Sequence, residues 1–139
     1  MKPETAAYLD RADRSLSNAR AILAINIAEA AGREAYYAAF HAAEALIFER
    51  TDKTPKTHSG VRAEFNRLAM DEPAISPELR AFLGQSYRLK EAADYLTGSA
   101  VEVTQAQAAA AVDSAGEFVT CVRNVLTPSQ AEGPPSPAP

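Results

Sequence analysis

The 139-residue sequence has no tryptophan, only two histidines and a single cysteine, Cys121. One cysteine excludes an internal disulfide and any zinc site that is built from several cysteines. Because Cys121 lies in the mostly apolar stretch 118–125, we expect a buried and unreactive thiol. The Glu-x-x-His pattern of di-iron helical bundles is also missing. We therefore expect no metal and no cofactor.

Long apolar runs and an excess of positive charge are missing as well. No stretch approaches the ~18 apolar residues of a membrane helix, and the opening MKPETAAYLD lacks the apolar core of a signal peptide. We therefore expect a cytoplasmic protein with no membrane contact. The formal net charge is −4, whereas proteins that coat nucleic acid usually carry a basic surface. Any nucleic-acid role requires a local basic patch.

Alanine and other hydrophobic residues, 47% of the chain in all, follow helical spacing, and no segment alternates as a strand does. The pattern predicts an all-α protein, an antiparallel up-down bundle of four long helices plus one short helix. The long helices are expected at 3–29, 32–51, 77–96 and 104–126, and the short one follows Thr57 or Ser59 and ends near Met70.

Three further features define the predicted ends of helices. Ser76 is a good N-cap, and Thr104 with Gln107 forms a capping-box pattern. Gly98 is suited to a C-terminal cap.

The segment 128–139 carries five of the nine prolines and no bulky apolar side chain. We expect one domain at 1–127 and a disordered tail.

His41 lies inside the apolar second helix, in YYAAFHAAE. Tyr37 precedes it by four residues and Glu44 follows it by three, so these side chains share one helix face. We interpret His41 as hydrogen-bonded within the bundle or at a subunit contact. One histidine with one carboxylate is not a metal site.

His58 lies in a basic loop, KTPKTHSGVR, together with Lys56 and Arg62. Residues 50–67 contain five Lys or Arg against two acidic residues, so the local charge is 5 − 2 = +3. Such a surface can attract a phosphate-bearing ligand. The alternative is a solvated connecting loop whose Thr and Ser side chains cap the next helix.

The stretch RLKEAADY, residues 88–95, places Arg88, Glu91 and Tyr95 on one helical stripe. A guanidinium grips phosphate well, and Glu91 is close enough along the helix to pair with Arg88. Helix geometry alone is equally consistent with an ordinary polar face.

Three stretches together resemble the HEPN domains (higher eukaryote and prokaryote nucleotide-binding). They are, in order, REAYYAAFHAAEALIFER at 33–50, KTHSGVRAEF at 56–65 and YRLKEAADY at 87–95. The resemblance covers about residues 4–127 and is closest to the small stand-alone prokaryotic members. It implies a bundle of four or five helices that pairs as a homodimer.

The resemblance also implies a function. Many HEPN proteins are metal-independent ribonucleases whose motif is Arg, four to six residues, then His. Several are toxins that are partnered by nucleotidyltransferase-like antitoxins, and in some pairs the partner adenylylates a tyrosine two residues after the motif histidine. Arg88 matches the motif arginine and Tyr95 the modified tyrosine.

The motif histidine is absent from this chain, since its position falls at Ala93, Asp94 or Tyr95. Loss of a general acid–base group costs about 10²–10⁴ in rate. We therefore expect a binding protein that holds nucleotide or RNA phosphate at Arg88, Lys56, His58, Arg62 and Tyr95. Two alternatives remain: a ribonuclease toxin with a site rebuilt from Arg88 and His58, and a structural or protein-interaction bundle.

Overall fold

The computed structural model describes residues 1–95 and 102–127, and it shows five α-helices and no strand in those two ranges. The prediction of an all-α bundle with four long helices and one short helix is confirmed. The predicted cap at Gly98 and the segment 128–139 lie outside the described residues. The helices are α1 (Pro3–Ala24), α2 (Ala28–Thr51), α3 (His58–Ala69), α4 (Pro77–Tyr95) and α5 (Gln105–Leu126).

The central helix is α2, which packs against all four others. Its buried residues are mainly alanines, whose small side chains let the neighbouring helices approach closely. A helix that is apolar on most of its faces is expected at the centre of a bundle. The fully buried alanines of α2 are Ala31, Ala35, Ala38, Ala39, Ala42, Ala43 and Ala45.

Hydrogen bonds near the helix ends show the alternating directions of the long helices. The hydroxyl of Thr5, at the start of α1, donates to Glu49 Oε1 near the end of α2 at 2.8 Å. Arg33, near the start of α2, donates to Asp94 near the end of α4 at 2.7 Å. Both pairs of helices are therefore antiparallel. None of the described helices is long and apolar enough to span a membrane.

The fifth helix begins at the predicted capping box, in which the Thr104 hydroxyl accepts from the Gln107 N–H and the Gln107 side chain accepts from the Thr104 N–H. The Gln105 side chain donates to the carbonyl of Leu23 at 3.0 Å. This contact places the start of α5 beside the end of α1, so the two helices run antiparallel.

The prediction of one helix across residues 3–29 was wrong at its C-terminal end. Asn26 has φ 64°, in the left-handed region, and α1 ends two residues earlier. Asparagine tolerates this conformation better than most residues, and the chain turns there into α2 after only three residues. Ile25 and Ile27 remain exposed at this turn.

The second helix starts earlier than the predicted residue 32 and passes straight through Gly32. A Cβ on Gly32 would stand 3.1 Å from Leu89 Cδ2 of α4, which is tighter than ordinary van der Waals contact. The glycine is thus a contact point between α2 and α4 rather than a helix start.

The loop 52–57 returns the chain along α2. Although α2 ends at Thr51, His58 packs against Phe40. Phe40 lies eleven residues before Thr51, or about 16 Å back along the helix. The Thr57 hydroxyl accepts from the Gly60 N–H at 3.0 Å, which confirms one of the two predicted caps. The prediction of a Ser76 cap on α4 is also confirmed, by a 3.2 Å bond from the Leu79 N–H.

Candidate functional site

Four aromatic rings surround the imidazole of His58, and we call this group the His58 cluster. The ring centroids lie 4.6 Å from His58 for Phe40, 5.7 Å for Tyr36, 5.9 Å for Tyr87 and 6.2 Å for Tyr37. Three of the rings come from α2 and one from α4, while His58 begins α3. The half-buried histidine therefore joins three helices.

The buried phenol of Tyr36 fixes the orientation of His58. Its oxygen lies 2.6 Å from His58 Nδ1. Burial raises the pKa of Tyr36 far above its usual value, so the phenol keeps its proton. A buried hydroxyl needs an acceptor, and Nδ1 supplies it. We assign the imidazole proton to Nε2 on this basis.

The surroundings of His58 favour its neutral form. Burial lowers the pKa of the imidazole below its ordinary value, and the cations of Lys90 and Arg62 lower it further. The carboxylates of Glu44 and Glu91 oppose these effects without overcoming them. At neutral pH the residue is therefore an uncharged imidazole that can donate a hydrogen bond from Nε2.

Arg62 lies across the neighbouring ring of Tyr87. Its guanidinium carbon is 3.9 Å from the ring centroid, close enough for a strong cation–π contact. The Arg62 guanidinium also lies close enough to the Tyr36 hydroxyl to oppose the rise in the pKa of that phenol, but its buried Nη1 has no partner in hydrogen-bond geometry in the described structure. A buried donor without a partner is costly, and an anionic oxygen is the acceptor that a guanidinium binds best.

The α4 side of the cluster is strongly polar. The Tyr87 hydroxyl donates to Glu91 Oε1 at 2.8 Å, and this bond is the main reason that the pKa of Tyr87 is raised. Lys90 pairs with Asp94 at 2.8 Å, and Arg33 of α2 binds the same carboxylate. Glu91, Lys90 and Asp94 of α4 are therefore held by contacts within α4 and with Arg33 of α2.

Arg88, the matched motif arginine, lies on a different face of α4. The residue is exposed, and its Nη1 lies 4.0 Å from the position that a Cβ on Gly84 would occupy. Within one chain it forms no hydrogen bond, ion pair or cation–π contact with the His58 cluster, as far as the described residues extend. Glu91, its possible partner from the sequence, binds Tyr87 instead.

The other residues predicted to bind phosphate are divided between the cluster and the surface. Lys56 is exposed in the loop before α3, whereas Arg62 is half-buried against Tyr87. Tyr95 is the last residue of α4, and its side chain lies outside the described part of the structure. The structure thus joins Arg62 with His58 and leaves Arg88 and Lys56 open to solvent.

His41 forms the hydrogen bond that its helix face predicted. Its Nδ1 lies 2.8 Å from Glu44 Oε1, and its ring stacks on Tyr37 at 6.1 Å. No group of three or more potential metal ligands occurs among the described residues. The Cys121 thiol is half-buried rather than fully buried, donates to the Ala74 carbonyl at 3.3 Å, and has its pKa raised by burial.

Sequence reasoning missed Tyr36, Phe40, Tyr87 and Lys90 as parts of the site. The spacing of four between Tyr36 and Phe40 shows that they share a helix face. It cannot show that a loop brings His58 back to that face, or that α4 presents Tyr87 there. These contacts join three segments of the chain that are distant in sequence.

Comparison with known proteins identifies the fold. The sequence profile of the HEPN domain matches residues 5–125. This chain belongs to the HEPN domain family. The resemblance carried by its three stretches is therefore confirmed. The HEPN chain is also 29% identical over 126 residues to the protein named "Putative toxin MJ0605" of Methanocaldococcus jannaschii, and the alignment covers 91% of each chain.

Proposed function

We propose that this HEPN protein is the toxin-type member of a toxin–antitoxin or defence pair and holds RNA or nucleotide phosphate beside His58. Beside His58 the binding groups are the Arg62 guanidinium and the His58 Nε2–H, and the exposed Arg88 and Lys56 bind neighbouring phosphates of the same ligand. The observation that carries the proposal is the buried, unpartnered Nη1 of Arg62. The relative named as a toxin supports the wider role.

Phosphate is the ligand that fits these groups. Arg62 packs over the Tyr87 ring, and a guanidinium presents its donors in the fork that phosphate oxygens accept. His58 is neutral, so it donates a hydrogen bond without adding charge. Although the chain carries a net charge of −4, residues 50–67 supply a local positive field that attracts an anion.

Binding without cleavage follows from the motif position. In the spacing that puts a tyrosine two residues after the motif histidine, the histidine position is Ala93, which lines a surface cavity of about 290 Å³ with Ile27, Glu29, Ala30 and Arg33. An alanine neither transfers a proton nor binds a scissile phosphate. The proposed function therefore depends on phosphate binding rather than on acid–base catalysis.

The family resemblance supports a homodimer that works with a nucleotidyltransferase-like partner, and Tyr95 is the proposed site of adenylylation. Mass spectrometry of the protein after co-expression with the neighbouring nucleotidyltransferase gene, if one is encoded, tests this. We expect one added adenylate on the peptide that contains Tyr95. An unmodified peptide contradicts control by adenylylation, although not complex formation.

A second candidate is a ribonuclease that uses Arg88 and His58. The neutral charge state of the imidazole favours it, because Nε2 accepts a proton once the ring proton moves to Nδ1 and the Tyr36 hydroxyl accepts from Nδ1 instead of donating to it. Both residues must then meet across a dimer. Incubation of a labelled RNA pool with wild type, H58A and R88A decides this. Equal cleavage by H58A and wild type rules it out.

RNA binding and growth inhibition test the main proposal directly. We expect R62A and R88A each to weaken binding of a fluorescent RNA oligonucleotide and to relieve growth arrest on expression. The matched control is R14A, which removes an exposed arginine of α1. Wild-type protein that neither binds RNA nor arrests growth would instead support the structural or protein-interaction bundle.

A further inference from the structure

A groove outside the His58 cluster runs between α3 and α4, and we call it the α3–α4 groove. It is an open surface groove of about 550 Å³. Arg67 and Arg80 flank it from the two helices, with Asn66 beside them. Ala63 and Ala81 line it with small side chains, and the exposed Met70 lines it beyond the end of α3.

The groove leads toward Arg88. The contact of Arg62 with Tyr87 and the joint lining of the groove by Met70 and Pro77 show that α3 and α4 run antiparallel. At 100° per residue, Pro77, Ala81, Gly84 and Arg88 form one stripe of α4. The Arg88 guanidinium folds back over Gly84, toward the groove. Arg80 and Arg88 are eight residues apart, or about 12 Å along the helix.

The two arginines of the α3–α4 groove are placed to bind a ligand. Arg67 binds Glu64 through two bonds of 2.6 and 3.0 Å, but its side chain is 63% exposed. Exposed ion pairs contribute little stability, so a phosphate can replace the carboxylate. Arg80 donates from Nη1 to the Ile75 carbonyl at 3.2 Å, which holds the side chain at the groove wall.

We propose that the α3–α4 groove binds the phosphodiester backbone of a single-stranded RNA segment. This rests on the proposed function: the strand continues from the phosphates bound by Arg62 and by Arg88, and Arg80 and Arg67 contact the next phosphates. Met70, 70% exposed, offers a flexible apolar surface to a base. The groove presents two arginines in a chain of net charge −4, whereas a surface that coats a duplex is broadly basic, so we propose one strand rather than a duplex.

Binding of a long and a short RNA strand distinguishes contacts in the α3–α4 groove from contacts beside His58, because only the long strand reaches the groove. We expect R67A/R80A to weaken binding of a fluorescent 12-nucleotide strand at least about tenfold at low salt, and to leave binding of a trinucleotide unchanged. Loss of two phosphate contacts also lowers the slope of log affinity against log salt by about 1.4. R67K/R80K keeps both charges and should recover much of the affinity.

The control is R11A/R14A, which removes two exposed arginines from α1. Equal 12-mer binding by R67A/R80A and wild type overturns the proposal, as does an equal loss in R11A/R14A or on the trinucleotide. Tighter binding of duplex than of single-stranded RNA also overturns it. If the wild-type protein binds the trinucleotide as tightly as the 12-nucleotide strand, the groove proposal fails while the proposed function stands. If it binds neither RNA, the proposed function itself fails.

Discussion

The properties of His58 come from groups that approach it from three helices. Lys90 and Arg62 both lower its pKa, and burial lowers it more than either. The R62M variant keeps most of the side-chain volume and removes one cation. We expect the pKa of His58 to rise in R62M while it stays below the ordinary value, because burial and Lys90 remain. NMR titration of the imidazole protons measures this.

The matched control for that titration is R67M, which removes an exposed arginine of the same helix that is not among the main groups that shift the pKa of His58. An unchanged His58 titration in R62M would show that the guanidinium over Tyr87 does not act on the imidazole. A rise of equal size in R67M would point to a general charge effect rather than to this contact.

The same histidine makes stability depend on pH. Because its folded pKa is lowered, the unfolded chain binds more protons near pH 6.5 than the folded chain does. The free energy of unfolding should therefore fall as pH drops from about 7.5 through 6.5 toward 5.5. In H58F this dependence should flatten, because phenylalanine does not titrate. Urea midpoints at several pH values provide the measurement.

Two outcomes would contradict that assignment. One is a wild-type midpoint that stays constant across this window, and the other is an H58F protein with the wild-type slope. Y36F provides a further comparison, since it keeps the ring and removes only the hydroxyl that donates to Nδ1.

At the scale of helices, most of the fold could be predicted from local signals. The caps at Thr104 and Ser76 act within four residues of chain, so the sequence alone reveals them. The left-handed turn at Asn26 was missed because asparagine permits this conformation without requiring it. Gly32 was mistaken for a helix start because its partner, Leu89, is distant in sequence.

Two glycines test how helix packing holds the site. A Cβ on Gly60 would stand 2.8 Å from both Pro55 Cβ and Thr57 Oγ1, so the loop that positions His58 must shift. We expect Gly60→Ala to destabilise the fold by roughly 1–3 kcal/mol. A Cβ on Gly84 meets only the Arg88 guanidinium, at 4.0 Å. Gly84→Ala should instead stabilise by roughly 0.5–1 kcal/mol. Thermal melts of both variants compare them directly.

The two substitutions add the same methyl group, so each serves as the control for the other. Equal melting temperatures for the two variants would show that the Pro55 contact does not limit the loop. A destabilised Gly84→Ala variant would show that α4 needs the glycine for a contact beyond Arg88.

At the scale of the whole molecule, the candidate site could be predicted only in part. The sequence identifies His58, Arg62 and Arg88 as separate basic residues. Their arrangement depends on the return of the loop 52–57 along α2, which brings His58 to Phe40, and on the packing of α4, which brings Tyr87 beneath Arg62. Tertiary contacts of this kind have no local signature.

The boundary of the domain gives the last prediction. The HEPN match ends at residue 125, and α5 ends at Leu126. Thr127 completes the helix end, because both its N–H and its hydroxyl donate to the Arg123 carbonyl. The segment 128–139 has five prolines and no bulky apolar side chain that packing could bury.

We expect a chain of residues 1–127 to melt within about 1 °C of the full chain, since a shift of several degrees corresponds to about 1 kcal/mol. RNA affinity should also stay unchanged, because the segment carries no basic residue.

The control is a chain that ends at residue 122. It lacks Arg123, whose guanidinium binds Asp13 of α1 at 2.7 Å, so it should melt at a lower temperature. Equal destabilisation of both truncated chains would show that residues beyond Thr127 belong to the folded domain.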